Sequence, residues 1–208
     1  MKKLTLKVTL LTLLLGSTVG FAQDAKADSA YVRDNYEKIE QVIPMRDGTK
    51  LFTAIYQPKD KTKQYPVLLN RTPYTVAPYG ANEYKKSLGN FPAEMREGFI
   101  FVYQDVRGKW MSEGEFEDVR PINPSKSKKA IDESTDTFDT LEWLAKNLKN
   151  YTKKAGIYGI SYPGFYSTMS LVNSHPTLKA VSPQAPVTNW YLGDDFHHNG
   201  VLFLNDSF

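Results

Sequence analysis

Cysteine is absent from the 208 residues. Disulfides are therefore excluded as a source of stability, a lipid-anchored lipoprotein is excluded with them, and packing must hold the fold. Histidine is scarce, at three residues. There is no internal repeat and no low-complexity tract. An excess of one charge is missing too once the first residues are set aside. The chain has 26 Lys and Arg against 23 Asp and Glu, and Lys2, Lys3 and Lys7 make up the whole difference. No lysine or arginine stripe remains that would argue for nucleic acid. The short run Lys126-Ser127-Lys128-Lys129 reads as a solvated loop.

What is present begins with a targeting pattern. Met1-Lys2-Lys3 leads into an apolar run from Leu4 to Val19, which ends in Gly20-Phe21-Ala22-Gln23 with small residues where a signal peptidase reads. Residues 1–22 are expected to be a secretory signal, cleaved after Ala22 or after Gln23. A membrane anchor is the competing reading, weakened by Lys7 and the threonines in a run barely long enough to span a bilayer. The expected product is soluble, periplasmic or secreted, and free of the membrane after cleavage. Residues 23–35, small, charged and without pattern, read as a linker.

Residues 36–189 have the pattern of a mixed α/β domain. Two strands at 38–44 and 50–58 flank Met45-Arg46-Asp47-Gly48-Thr49, whose Asp-Gly pair supplies the positive φ of a tight turn, so they form an antiparallel hairpin. Continuous apolar runs at 65–70 and 98–105 predict strands covered on both faces, with helical turns at 83–87 and 92–97 between them. Residues 133–148 carry Phe138, Leu141, Leu144, Ala145 and Leu148 on one side and acids in the first turns, where the macrodipole favours them. A buried strand at 154–159, a helix at 164–172 and a short strand at 178–181 follow. A hairpin leading into alternating strands and helices is the entry to an α/β-hydrolase sheet. From Trp190 the pattern dissolves into aromatic and acidic residues, so 190–208 reads as the start of a cap.

The most informative stretch is Gly159-Ile160-Ser161-Tyr162-Pro163-Gly164, at the seam of a strand and a helix. A sharp turn there exposes Ser161, glycines at 159 and 164 relieve crowding, and the N–H after the serine points where an oxyanion forms. The strict pattern has glycine two places after the serine, where this chain has Pro163. An ordinary Gly-Ser-Pro-Gly turn is therefore the competing reading. A serine nucleophile also needs a base and an acid to orient it. His175 follows the nucleophile helix too directly to swing back over Ser161. His197 and His198 follow Asp194 and Asp195 too closely, and too early in the sheet order. The acid and base are accordingly expected beyond Phe208, with this chain an N-terminal fragment.

Four ordered blocks resemble a known family. They are Asn70-Arg71-Thr72-Pro73-Tyr74, the stretch from Tyr103-Gln104-Asp105-Val106-Arg107-Gly108 to Gly114-Glu115-Phe116, the serine block itself, and Gly193-Asp194-Asp195-Phe196-His197-His198-Asn199-Gly200. Together they resemble the Xaa-Pro dipeptidyl-peptidase, cocaine esterase and α-amino-acid ester hydrolase family of serine hydrolases, from about Glu40 onward, and the residue at Pro163 varies in that family. The resemblance implies an α/β-hydrolase fold followed by a helical cap and a β-sandwich, with Ser161 as the acylated nucleophile. It gives the oxyanion the backbone N–H of Tyr162 and the phenolic O–H of Tyr74, and it makes Asp195 part of a carboxylate cluster for the substrate's α-ammonium. The implied enzyme transfers an α-aminoacyl group from an ester or amide, uses no metal or cofactor, and takes a small molecule or peptide with a free α-amino group. Xaa-Pro dipeptide release is the alternative within the family, and an inactive hydrolase-fold binding module the alternative outside it; self-association is left open. Read without the family, Tyr74 is a loop tyrosine packed after Pro73, and Asp194 and Asp195 cap a helix starting near Phe196. Asp105 and Arg107 read as a buried ion pair that holds a loop.

Overall fold

The computed structural model describes residues 26–90, 92–125, 127–189, 191–193 and 196–203. The signal expected at 1–22 and the carboxylates of Asp194 and Asp195 lie outside the described residues. Strands β1 (Tyr36–Pro44), β2 (Lys50–Pro58), β3 (Tyr65–Thr72), β4 (Ile100–Asp105), β5 (Tyr151–Ile160) and β6 (Leu178–Gln184) form one six-stranded sheet in the order β1-β2-β4-β3-β5-β6. The β1–β2 and β2–β4 pairs are antiparallel, and β3–β4, β3–β5 and β5–β6 are parallel. The hairpin closes at Asp47-Gly48, where the Gly48 N–H donates to the Met45 carbonyl at 2.9 Å and the Met45 N–H donates to that of Thr49 at 2.8 Å.

Alternation along the central strands builds three layers. Ile100 and Val102 of β4 face Val67 and Leu69 of β3, and lie with Leu141 and Leu144 of a helix at Glu133–Asn147. Phe101 and Tyr103, one residue out of step, face the other way and pack with Ala54 and Tyr56 of β2 and with two short helices. The first of these, α1, covers residues 26–35. It replaces the expected linker, because Val32 on it is 0% exposed and joins that core. The second, α2 (Pro92–Glu97), contributes Met95, while the helical turn expected at 83–87 is irregular loop. There the Lys38 ammonium binds the carbonyls of Pro78, Gly80 and Glu83 at 2.7, 3.0 and 2.9 Å. The Glu83 carbonyl is thus held by a cation from β1 rather than by a helical ladder.

The helix at Glu133–Asn147, α3, starts at Asp132, whose carboxylate accepts the Thr135 N–H at 2.8 Å while Thr135 Oγ1 accepts the Asp132 N–H at 2.9 Å. Its first-turn acids do more than complement the macrodipole, since Glu133 and Asp136 are buried. Glu133 lies 3.1 Å from the Arg71 guanidinium, and Asp136 takes a two-pronged contact from Arg107, with Nη2 to Oδ1 at 2.7 Å and Nε to Oδ2 at 3.0 Å. Arg107 also binds Asp47 of the hairpin turn at 2.7 Å. This corrects the expected Asp105–Arg107 pair. Arg107 turns toward α3 and the hairpin, where two carboxylates match its fork, while Asp105 faces the segment after β3.

Candidate active site

Ser161 stands between β5 and the helix α4 (Tyr162–Met169), and it is exposed. Its backbone has φ 61° and ψ −119°, a conformation that side-chain-bearing residues adopt only when their surroundings impose it. The neighbours do so. A Cβ on Gly159 would fall 2.1 Å from the carbonyl oxygen of Pro163, and one on Gly164 would fall 2.8 Å from that of Gln184. The Ser161 N–H donates to the Gln184 carbonyl at 2.9 Å, tying the turn to the end of β6, and the Phe165 N–H returns to the Ser161 carbonyl at 3.1 Å. Pro163 fits because it occupies the first turn of α4, where a missing N–H leaves no bond unmade.

Tyr162 opens α4, so its own N–H lies among the first-turn amides that lack an intrahelical acceptor. Its side chain points elsewhere. The phenol donates to the Asp118 carboxylate and accepts the Val119 N–H at 2.7 Å, and the ring stacks on Tyr166 at 5.2 Å. Burial, reinforced by Asp118, raises the Tyr162 pKa and keeps the phenol neutral.

Tyr74 follows β3 and is 59% exposed, which sets aside the packed-loop reading. Its ring meets that of Tyr162 edge-on, with centroids 6.4 Å apart. The backbone beneath it is tied down. The Tyr74 N–H donates to Thr72 Oγ1 at 3.1 Å, Trp110 Nε1 donates to the Pro73 carbonyl at 3.0 Å, and the Val76 N–H donates to Asp105 Oδ1 at 3.0 Å. Burial pushes the Asp105 carboxyl above its usual value, opposed by the bonds from Tyr79, Met111 and Val76.

A pocket of about 270 Å³ opens at Ser161 and is walled by Ala185, Pro186, Val187, Thr188, Asn189 and Gly193. No periodicity marks that wall in the sequence. It exists because β6 runs parallel to β5 and delivers the following residues beside the serine turn.

The three histidines occupy two separate places. His175 lies past the far end of α4, with Nδ1 accepting the Thr177 N–H at 3.2 Å and Nε2 2.9 Å from Glu142. These contacts make His175 a packing residue, edge-on to Phe138. His197 and His198 form β7 (His197–His198), which pairs with β8 (Val201–Leu202), and the His197 ring stacks on Tyr191 at 4.8 Å. The helix expected from Phe196 is therefore a two-stranded ribbon, and the capping role considered for Asp194 and Asp195 loses its helix.

Residues 47–208 match the pattern of X-Pro dipeptidyl-peptidase (S15 family). The chain is 30% identical over 172 residues to the cocaine esterase of Rhodococcus sp. (strain MB1 Bresler), covering 82% of this chain and 27% of the esterase. Among solved structures it is similar to an aminopeptidase from the marine sediment archaeon Thaumarchaeota archaeon, with 37% identity, a TM-score of 0.74, and coverage of 83% of this chain and 29% of that one. It is likewise similar to an α-amino acid ester hydrolase, with 39% identity, a TM-score of 0.71, and coverage of 81% and 28%. The chain thus spans under a third of the length of each of these three relatives. With a hydrolase sheet order, a strained serine between β5 and α4, and a family match over most of its length, the chain belongs to the X-Pro dipeptidyl-peptidase (S15) family on an α/β-hydrolase fold.

Proposed function

We propose that this chain supplies the nucleophile and the oxyanion donors of an exported serine hydrolase. The carrying observation is the Ser161 backbone, strained and exposed beside a pocket. Ser161 Oγ attacks the acyl carbon as a base takes its proton, the carbonyl oxygen takes up negative charge, and the bond to the alcohol or amine breaks as the base returns that proton to the leaving group, giving an acyl-enzyme; water or an amine then takes the acyl group by the same steps in reverse. The Tyr162 N–H and the Tyr74 O–H stabilise the developing oxyanion. His175, committed to Glu142 and Thr177, is not that base.

An α-aminoacyl substrate is favoured, because two similar structures bear the names aminopeptidase and α-amino acid ester hydrolase. Asp195 then receives the α-ammonium. Xaa-Pro dipeptide release is the second reading, supported by the family pattern over residues 47–208, and it uses the same acyl chemistry. In the full-length protein a fluorophosphonate should label Ser161, and Ser161→Ala should abolish labelling. Labelling that survives the substitution refutes the assignment. Turnover of an α-amino ester against an Xaa-Pro anilide separates the two readings.

A further inference from the structure

Asp105 is the C-terminal residue of β4 and is 0% exposed. A buried carboxylate ordinarily requires a cation or a full set of hydrogen-bond donors. Asp105 makes no ion pair among the described residues; its donors are neutral and come mostly from one short segment. Oδ1 accepts the Val76 N–H at 3.0 Å, while Oδ2 accepts the Tyr79 O–H at 2.9 Å and the Met111 N–H at 3.4 Å. The Tyr79 oxygen in turn accepts from Thr75 Oγ1 at 2.9 Å, and Thr75 Oγ1 accepts the Ala77 N–H at 3.1 Å. One carboxylate therefore holds residues 75, 76, 77 and 79, directly or through a relay. On the other side of Tyr74, Thr72 is the register partner of Asp105 in the sheet, and the Val106 N–H donates to the Thr72 carbonyl at 3.1 Å.

Tyr74 is thus a solvent-facing side chain on a backbone clamped at both ends to the tip of β4. We propose that Asp105, acting through Val76 and Tyr79, is a positioning residue that keeps the Tyr74 hydroxyl at the mouth of the serine turn. The proposal rests on the oxyanion role given to Tyr74 above. The hydroxyl sits at the end of a long side chain, so a small rotation of residues 74–76 moves it by a larger distance. A misplacement of about 1 Å in such a group costs on the order of 100-fold in rate. Asparagine is a poor substitute at 105, because its amide N–H groups would face the Met111 N–H, a donor against a donor.

The test is a double-mutant cycle in the full-length enzyme, with Tyr79→Phe and Asp105→Asn each made alone and with Tyr74→Phe. Tyr79→Phe removes the relay and leaves the Asp105–Val76 bond in place. It should lower kcat roughly 10-fold with KM changed by no more than about two-fold, and the fraction of enzyme that a fluorophosphonate labels to completion should not change. On top of Tyr74→Phe it should cause no further loss, because the hydroxyl it positions is gone. An equal loss in both backgrounds, or an unchanged kcat, overturns the proposal. Should Asp105→Asn fail to fold, the Tyr79→Phe arm decides alone. If Tyr74→Phe by itself leaves kcat unchanged, the oxyanion role of Tyr74 falls, and the positioning role with it. A loss on Tyr74→Phe with additive behaviour in the cycle removes only the role of Asp105.

Discussion

Tyr74 and Tyr162 meet edge to face, with ring centroids 6.4 Å apart and planes at 81°, yet they use their hydroxyls differently. The Tyr162 phenol is occupied by Asp118 and Val119, so its ring is a fixed wall. The Tyr74 phenol has no hydrogen-bond partner among the described residues, and the wall beside it limits where its hydroxyl can go.

That difference makes Tyr74→Phe informative. Loss of one oxyanion donor should lower kcat in the full-length enzyme by roughly 100-fold or more while KM changes little. Steady-state kinetics on a single ester substrate check it. A change confined to KM would make Tyr74 a substrate-packing residue.

The serine turn should tolerate no side chain at position 159. The Cβ of Gly159→Ala would sit 2.1 Å from the Pro163 carbonyl oxygen, so the turn must open. We expect a stability loss of about 1–3 kcal/mol, as for overpacking, together with a fall in fluorophosphonate labelling. Gly193→Ala, with nothing within 4 Å of its added Cβ, is the control and should leave Tm unchanged. Normal labelling in Gly159→Ala would show that the strained geometry is dispensable.

Asp47 predicts an acid sensitivity. Burial alone would raise its pKa, but hydrogen bonds from Arg107 and Thr49 outweigh burial and hold the carboxyl below its usual value. A depressed folded-state pKa adds stability that is present above the unfolded value and lost as pH falls through the folded one. Asp47→Asn should therefore lower Tm at pH 6, and the difference between the two proteins should shrink as pH falls through the depressed folded-state value of Asp47. Asp105, shifted upward by burial, acts in the opposite sense but is common to both. Parallel Tm curves over that range would refute the linkage.

Asp195 is tested by substrate charge. If it binds the α-ammonium, Asp195→Asn should weaken kcat/KM for an α-amino ester by about 1.5–3 kcal/mol, the range for a hydrogen bond to a charged group. An ester lacking the amine should be almost unaffected. Equal losses on both substrates would assign Asp195 to the support of the fold.

Most of the architecture, and the serine turn itself, can be read along the chain because the forces that set them act between near neighbours. The near-continuous burial along β2 and β4 and the Asp47-Gly48 turn concern residues a few positions apart. So does the clash that keeps Gly159 a glycine, since Pro163 is only four residues on. The misreadings have the opposite character. Arg107 finds its partners 29 and 60 residues away, at Asp136 and Asp47. The Glu83 carbonyl in the loop at 83–87 is taken by a lysine on β1, 45 residues away, and Val32 of the helix at 26–35 enters a core built by distant strands.

From the sequence alone came the strands of the six-stranded sheet, the helix at Glu133–Asn147 and a serine exposed between strand and helix, because periodicity and local steric exclusion are properties of short stretches. Tertiary structure alone decided that β4 lies between β2 and β3, and therefore that Asp105 faces the loop bearing Tyr74 while Arg107 faces α3. Buried charges and hydrogen-bond donors take the partners that the strand order brings within reach, and strand order is a global outcome of packing both faces of the sheet.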